Sequence, residues 1–181
     1  NTKSMIYLSN LYQDGIIIKR DYNEAVKQLE NAYLNGDEEA TYQYAEALRK
    51  GEICDKNSER SFELHRENIS NTDYMYIPSV FSLAEMYRKG EGTEKNLPES
   101  ARLYKIAADA NNKEACCCYS DMLLNGQGVN KNITEGYKYL QKAIDNGSPE
   151  AMYKMAMRMI NNDSVETRNE AFEYLKKAAL L

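Results

Sequence analysis

The chain has 181 residues, 43% hydrophobic and 28% charged, with a formal net charge of -5. That balance excludes a disordered polar tail, and it argues against a nucleic-acid binder, which needs a basic face. No apolar run reaches the length that crosses a bilayer, and the start at Asn1 has no signal-peptide pattern. With Asn rather than Met first and an apolar, helix-like end at Ala178–Leu181, the chain reads as a piece of a longer protein.

The first 36 residues contain the unit that organises the rest. Ser4, Leu8, Ser9 and Tyr12 fall on one helical face, and the helix is expected to stop at Gly15. Asp21 suits the N-cap of a second helix that carries Ala25, Leu29 and Ala32 on one face. Residues 37–73 repeat the design with Ala40, Tyr44, Ala45 and Leu48, then Gly51, then Asn57, then Ser61, His65 and Asn68. A three-residue insertion near Asn71–Ile77 follows; Tyr74, Met75, Tyr76 and Ile77 make it either an exposed apolar contact or an extra turn over a junction.

Residues 74–111 hold the third copy: Ser79, Leu83, Ala84 and Tyr87, then Gly90, then Asn96, Ser100, Tyr104 and Ala107. Pro98 falls in the first turn of its helix, where its missing N–H matters little. Residues 112–147 give Ala115, Tyr119, Ser120 and Leu123, then Gly126, Asn132, Gly136, Leu140 and Ala143. Residues 148–181 open on Ser148–Pro149–Glu150 and place Ala151, Met155, Ala156 and Met159 before Asn162, which stands where the glycine would be; Ala171, Leu175 and Ala178 follow. The marker glycines are 36, 39 and 36 residues apart, with Asn162 another 36 on. Five helix–turn–helix units are expected, with ten helices of about 12 residues, roughly 18 Å each. Small residues at two positions of each first helix would let a neighbouring helix approach closely.

The pair Gly90–Glu91–Gly92 raises the question of a phosphate-cradling loop. No strand precedes it and no Gly-Lys-Ser/Thr follows, so the first glycine reads as a left-handed helix end instead.

The stretches "SVFSLAEMYRKGEGT", "SARLYKIAA" and "ACCCYSDMLLNGQGVNKN" resemble the Sel-1-like repeat, a relative of the tetratricopeptide repeat. Copy two departs by lacking the second glycine and by carrying Asn68 in place of Ala; copy five lacks both glycines. The resemblance implies an all-α, right-handed α/α superhelical solenoid, with the first helix of each pair on a concave face. It also implies a non-catalytic adaptor or scaffold, since relatives serve in endoplasmic-reticulum-associated degradation, signalling assemblies and bacterial contacts with hosts.

Chemistry-bearing residues are few. His65 occupies a column otherwise filled by Leu29, Tyr104, Leu140 and Leu175, so it reads as a partly buried core residue with no positioned catalytic partner. Cys54 reads as a small filler of its loop, and Cys116, Cys117 and Cys118 lack zinc-ligand spacing. No cofactor, metal or catalytic residue is expected. The cysteine usage leans towards the cytoplasm, while sequons at Asn68, Asn132, Asn146 and Asn162 leave an endoplasmic-reticulum or secreted setting open.

The candidate binding residues lie on the first helices, off the core face. One column reads Ile6, Tyr42, Phe81, Cys117 and Tyr153; the next reads Asn10, Glu46, Glu85, Asp121 and Met157; a third reads Gln13, Arg49, Arg88, Leu124 and Ile160. By analogy with tetratricopeptide folds these columns face the groove. An aromatic row beside an acidic one suits a peptide or helix that brings a basic residue to Glu46, Glu85 and Asp121. The alternative is that the aromatics pack between repeats and the charges form local ion pairs. Self-assembly through terminal helices is a further possibility for the module. The expected partner is thus a protein or peptide, with a homo-oligomer possible and nucleic acid excluded.

Overall fold

A computed structural model describes residues 1–70, 75–160 and 165–180. These residues form ten α-helices and no strand: α1 Thr2–Asp14, α2 Tyr22–Leu34, α3 Glu38–Lys50, α4 Ser58–Ser70, α5 Ile77–Lys89, α6 Leu97–Asp109, α7 Lys113–Asn125, α8 Ile133–Asp145, α9 Pro149–Ile160 and α10 Val165–Ala179. They fall into two compact units, Asn1–Asn96 with α1–α5 and Leu97–Leu181 with α6–α10. In each unit, consecutive helices pack on one another. Tyr74 of the insertion and Asn162, with its sequon, lie outside the described residues.

The repeating columns supply much of the core, although Ser4, the first copy's member of the leading small column, is exposed. In the first helices, Ala40, Ser79, Ala115 and Ala151 are fully buried, as are Ser9, Ala45, Ala84, Ser120 and Ala156. In the second helices, Ala25, Ser61, Ser100 and Ala171 are fully buried, and so are His65, Tyr104 and Leu140. A fully buried leucine such as Leu140 stabilises by about 2 kcal/mol, whereas a buried small residue mainly brings backbones together. At Gly136, in the small-residue column of α8, a Cβ would come within 2.6 Å of Leu124 Cγ.

The first four hairpins are closed the same way. Gly15, Gly51, Gly90 and Gly126 end their helices in the left-handed conformation, and each N–H donates to the carbonyl four residues back. The chain then crosses to the next helix, where the backbone N–H of Asp21, Asn57 and Asn132 returns to the carbonyls of Tyr12, Leu48 and Leu123. The side chains of the same three residues accept from the N–H groups of Glu24, Arg60 and Glu135, completing the caps.

The second glycine of the pair has a separate cause. Gly92 has φ +66°, and a Cβ on it would sit 2.0 Å from the Ser58 carbonyl oxygen, in the first turn of α4. Gly128 repeats this in the second unit, where a Cβ would lie 2.3 Å from the Leu97 carbonyl. The loop of one repeat therefore rests on the start of the previous repeat's second helix, at a distance only glycine permits. In the second copy Ile53 takes that place, and an open depression lies there, bordered by Asp21, Tyr22 and the 51–55 loop.

A second recurring turn joins the first pair to the second, the third to the fourth and the fourth to the fifth. Gly36, Asn111 and Gly147 all have positive φ, and each precedes the N-cap of the following helix. Asn111 is the asparagine substitute for glycine expected of such a site.

Candidate functional site

In the first unit the structure assembles a polar network around Glu46 of α3. Ser82 of α5 donates to Glu46 Oε1 at 2.8 Å, Arg49 Nη1 lies 3.3 Å from the same oxygen, and His65 Nε2 of α4 lies 3.2 Å from it. The third approach is a charge-pairing distance without hydrogen-bond alignment, so Nε2 has no aligned partner. Burial pushes the Glu46 carboxyl pKa up, but His65, Ser82 and Arg49 outweigh it and hold it at about 2. Glu46 is a carboxylate at any physiological pH.

The other face of the imidazole meets Ser79, whose Oγ is 3.2 Å from Nδ1 and accepts from Asn68 Nδ2 at 2.8 Å. Asn68 also donates to the Glu38 carbonyl at 2.9 Å. Ser79 Oγ thus accepts from Asn68 and is placed to donate its own hydroxyl proton to Nδ1.

Two expectations change here. His65 is fully rather than partly buried, and it does have positioned partners, Glu46 and Ser79. The partners lie 19 residues before it and 14 after it, and only helix packing joins them. Hydroxyl, imidazole and carboxylate in series invite comparison with a hydrolase triad. Here the hydroxyl is on Nδ1 and the carboxylate near Nε2, the reverse of that arrangement. Ser79 is also fully buried, so no substrate could reach it. The network specifies packing: Asn68 and His65, the two departures from the repeat pattern, are matched by Ser79 and Glu46.

The remaining first-unit candidates sit around this network. Tyr42 is half-buried, its ring centroid 5.8 Å from those of His65 and Tyr76. Burial and then the Glu46 charge raise its pKa. Tyr76 of the insertion thus covers Tyr42, while Met75 is exposed. Arg49 Nε is 2.8 Å from Glu91 Oε2, so it bridges Glu46 and the third hairpin loop. Glu85 is nearly buried and pairs with Arg88 and Lys89, both at 3.0 Å. Phe81 is half-buried. A depression of about 220 Å3 lies beside Tyr42 and Glu46, bordered also by Asn10, Gln13, Gln43 and Glu52. The three sequence columns do bring Asn10, Gln13, Tyr42 and Glu46 together.

In the second unit Cys117 lies below the surface, its sulfur 3.5 Å from Ser148 Oγ. Asp121 accepts from Lys154 at 2.7 Å, and Arg158 is 3.8 Å from it. Tyr153 is 53% exposed and shares a face with exposed Met157 and Ile160. All four cysteines are free, and burial lifts the Cys116 thiol to about 11. Among the described residues, no three acidic, histidine or cysteine side chains converge on a possible metal position. No described helix is long and apolar enough to cross a membrane.

The geometry explains a sequence pattern that comparison then places. The model of the Sel1 repeat matches residues 2–37, 38–67, 77–112, 113–148 and 149–181. The chain belongs to the Sel1 repeat family. Its boundaries leave out 68–76, where the insertion interrupts the period. A search of curated proteins found no match. Among solved structures, a Sel1 repeat protein from Oxalobacter formigenes superposes with a TM-score of 0.89 at 23% identity, over 99% of this chain and 51% of that one. A protective antigen of uropathogenic Escherichia coli with an SLR fold gives 0.83 at 20% identity, over 99% and 38%. A cysteine rich protein B from Helicobacter pylori gives 0.56 at 21% identity, over 76% and 96%. The Sel1 chain described here spans about half the length of the first of these and less of the second. The likeness fixes the fold as the helix-pair solenoid class.

Proposed function

We propose that this Sel1 repeat chain is a non-catalytic interaction scaffold that binds a peptide or helix on the first-helix face of its units. The observation that carries the reading is the convergence of Tyr42, Glu46, Asn10 and Gln13 on one depression, where half-buried aromatic and charged groups stay within reach of solvent. In the second unit Tyr153, Met157 and Ile160 offer an exposed apolar stripe on α9, whose Lys154 pairs with Asp121. Aromatic anchors bordered by fixed charges are how interfaces concentrate binding energy. Phe81, Glu85, Arg88 and Arg49 belong to the same face, with their charges held in local pairs.

The experiment is selection of binders from a random peptide library, followed by affinity measurement on Phe81→Ala/Glu85→Arg and Tyr42→Ala variants whose helicity is intact. A loss of about tenfold or more supports the reading, the size expected of an interface anchor. Unchanged affinity in both variants refutes it.

A further inference from the structure

The depression between Asn10, Gln13, Tyr42, Gln43, Glu46 and Glu52 has a chemical bias that the groove reading does not specify. All three donors that hold Glu46 converge on one oxygen: Ser82, Arg49 and His65 approach Oε1. The other oxygen, Oε2, takes none of those contacts, on a side chain that keeps 15% of its surface exposed. The surrounding side chains add acceptors. Gln13 donates one amide N–H to Ser9 Oγ at 3.1 Å, and Gln43 one to Glu39 at 3.1 Å. Each glutamine keeps its carbonyl oxygen to offer, beside its second N–H. Glu52 adds a second carboxylate at the rim, and Asn10 a further amide. The floor is apolar, from Leu29, Ala47 and Ile53, and the half-buried Tyr42 ring supplies an aromatic wall. Lys50 is the one cation in the lining.

We infer that this depression is a receptor for an arginine side chain presented by the partner, and the inference rests on the groove reading for the identity of that partner as a peptide. The acceptors are spread over five side chains from α1, α3 and the 51–55 loop rather than gathered at one point. A guanidinium carries five donors in a fixed planar fork and stacks on aromatic rings, so it can serve several of them at once. An ammonium offers three donors from a single point, so it reaches fewer of these spread acceptors and does not stack on the ring as a plane. Glu46 is suited to the role because its own network fixes the carboxylate before any ligand arrives, which removes an ordering cost from binding. Arg49 and Lys50 set the limit: Arg49 already lies 3.3 Å from Glu46 Oε1, so a ligand's cation has to be served by Oε2 and Glu52, with Lys50 also in the lining.

The test needs no natural partner. N-acetyl-L-arginine amide is titrated into the isotope-labelled chain and followed by amide chemical shifts, with N-acetyl-L-citrulline amide as the neutral isostere and N-acetyl-L-lysine amide as the point-charge control. Saturable shifts at Tyr42, Gln43, Glu46, Glu52 and Ile53, strongest for arginine and absent for citrulline, support the inference. Glu52→Gln, an exposed change that leaves the core intact, should weaken binding about threefold, and Glu46→Gln about tenfold if it stays folded. Shifts that are scattered, non-saturable, equal for citrulline, or unmoved by Glu52→Gln overturn it. Failure here with Tyr42-dependent peptide binding intact would leave the groove reading standing. Arginine binding with library peptides indifferent to Tyr42 and Phe81 would do the reverse.

Discussion

Gly92→Ala tests the packing of one repeat's loop on the previous repeat's helix. Two costs add. Alanine in the left-handed region is worse than glycine by about 1–2 kcal/mol. The new Cβ would also sit 2.0 Å from Ser58 O and 2.4 Å from its carbonyl carbon. An ordinary carbon–oxygen contact is about 3.3 Å, so the loop and the start of α4 must part by roughly 1.3 Å. Both are backbone, and overpacking of that kind costs about 1–3 kcal/mol. Gly36 supplies the control within the same unit: its φ is +78° and nothing lies within 4 Å of its Cβ position. Gly36→Ala thus carries the conformational cost alone, and the reduced unfolded-chain freedom is common to both. The expected difference is about 1–3 kcal/mol, with Gly92→Ala the worse, measured by urea unfolding followed by circular dichroism. In heating experiments that is about 2–4 °C per kcal/mol for a chain of this size. Gly128→Ala against Gly147→Ala repeats the comparison in the second unit. Equal costs for Gly92→Ala and Gly36→Ala, within about 0.5 kcal/mol, would refute the idea that the second glycine exists to admit a neighbouring backbone.

The other predictions concern the Glu46 network. The folded pKa of Glu46, about 2, is below its ordinary 4.5, so its stabilising contribution is complete above the ordinary value and is lost as pH falls from there towards 2. The amount is about 3 kcal/mol, and Glu46→Gln should flatten that part of the acid limb; parallel stability–pH profiles for the two proteins would contradict it. Ser79→Ala should cost about 1–3 kcal/mol by stranding Asn68 and His65. Restoring the apolar columns with Asn68→Ala, His65→Leu and Ser79→Ala together should cost less than Ser79→Ala alone. A triple variant less stable than the single one would show that the polar chain contributes more than matched packing.

Most of the fold could be read from the sequence because the repeat presents each physical requirement five times. A small residue at one position proves nothing. Ser79 in register with Ala40, Ala115 and Ala151 marks a helix contact, and all four are fully buried. The same holds for Gly90 and for Asp21, Asn57 and Asn132 as caps. The turn at Gly36, Asn111 and Gly147 carried the same kind of signal and could have been found by aligning the second helices' ends. The candidate site was less legible. Cys117 shares a column with Tyr42 and Tyr153 yet lies buried on Ser148, because a column fixes a direction from the helix axis and not what stands in front of it. The degenerate second copy hid the most. His65 and Asn68 look like losses from the pattern until Ser79 and Glu46 are seen beside them.

The spacing of glycines and small residues by itself determined the secondary structure, the hairpin turns and the order of packing, because those depend on contacts within about forty residues that every copy repeats. Tertiary structure alone decided which polar groups meet: that Ser82, Arg49 and His65 share a single oxygen of Glu46, and that Ser79 stands between Asn68 and His65. Such meetings depend on the exact separation of two backbones, and separation is set by side chains from different copies acting together, which no periodicity encodes.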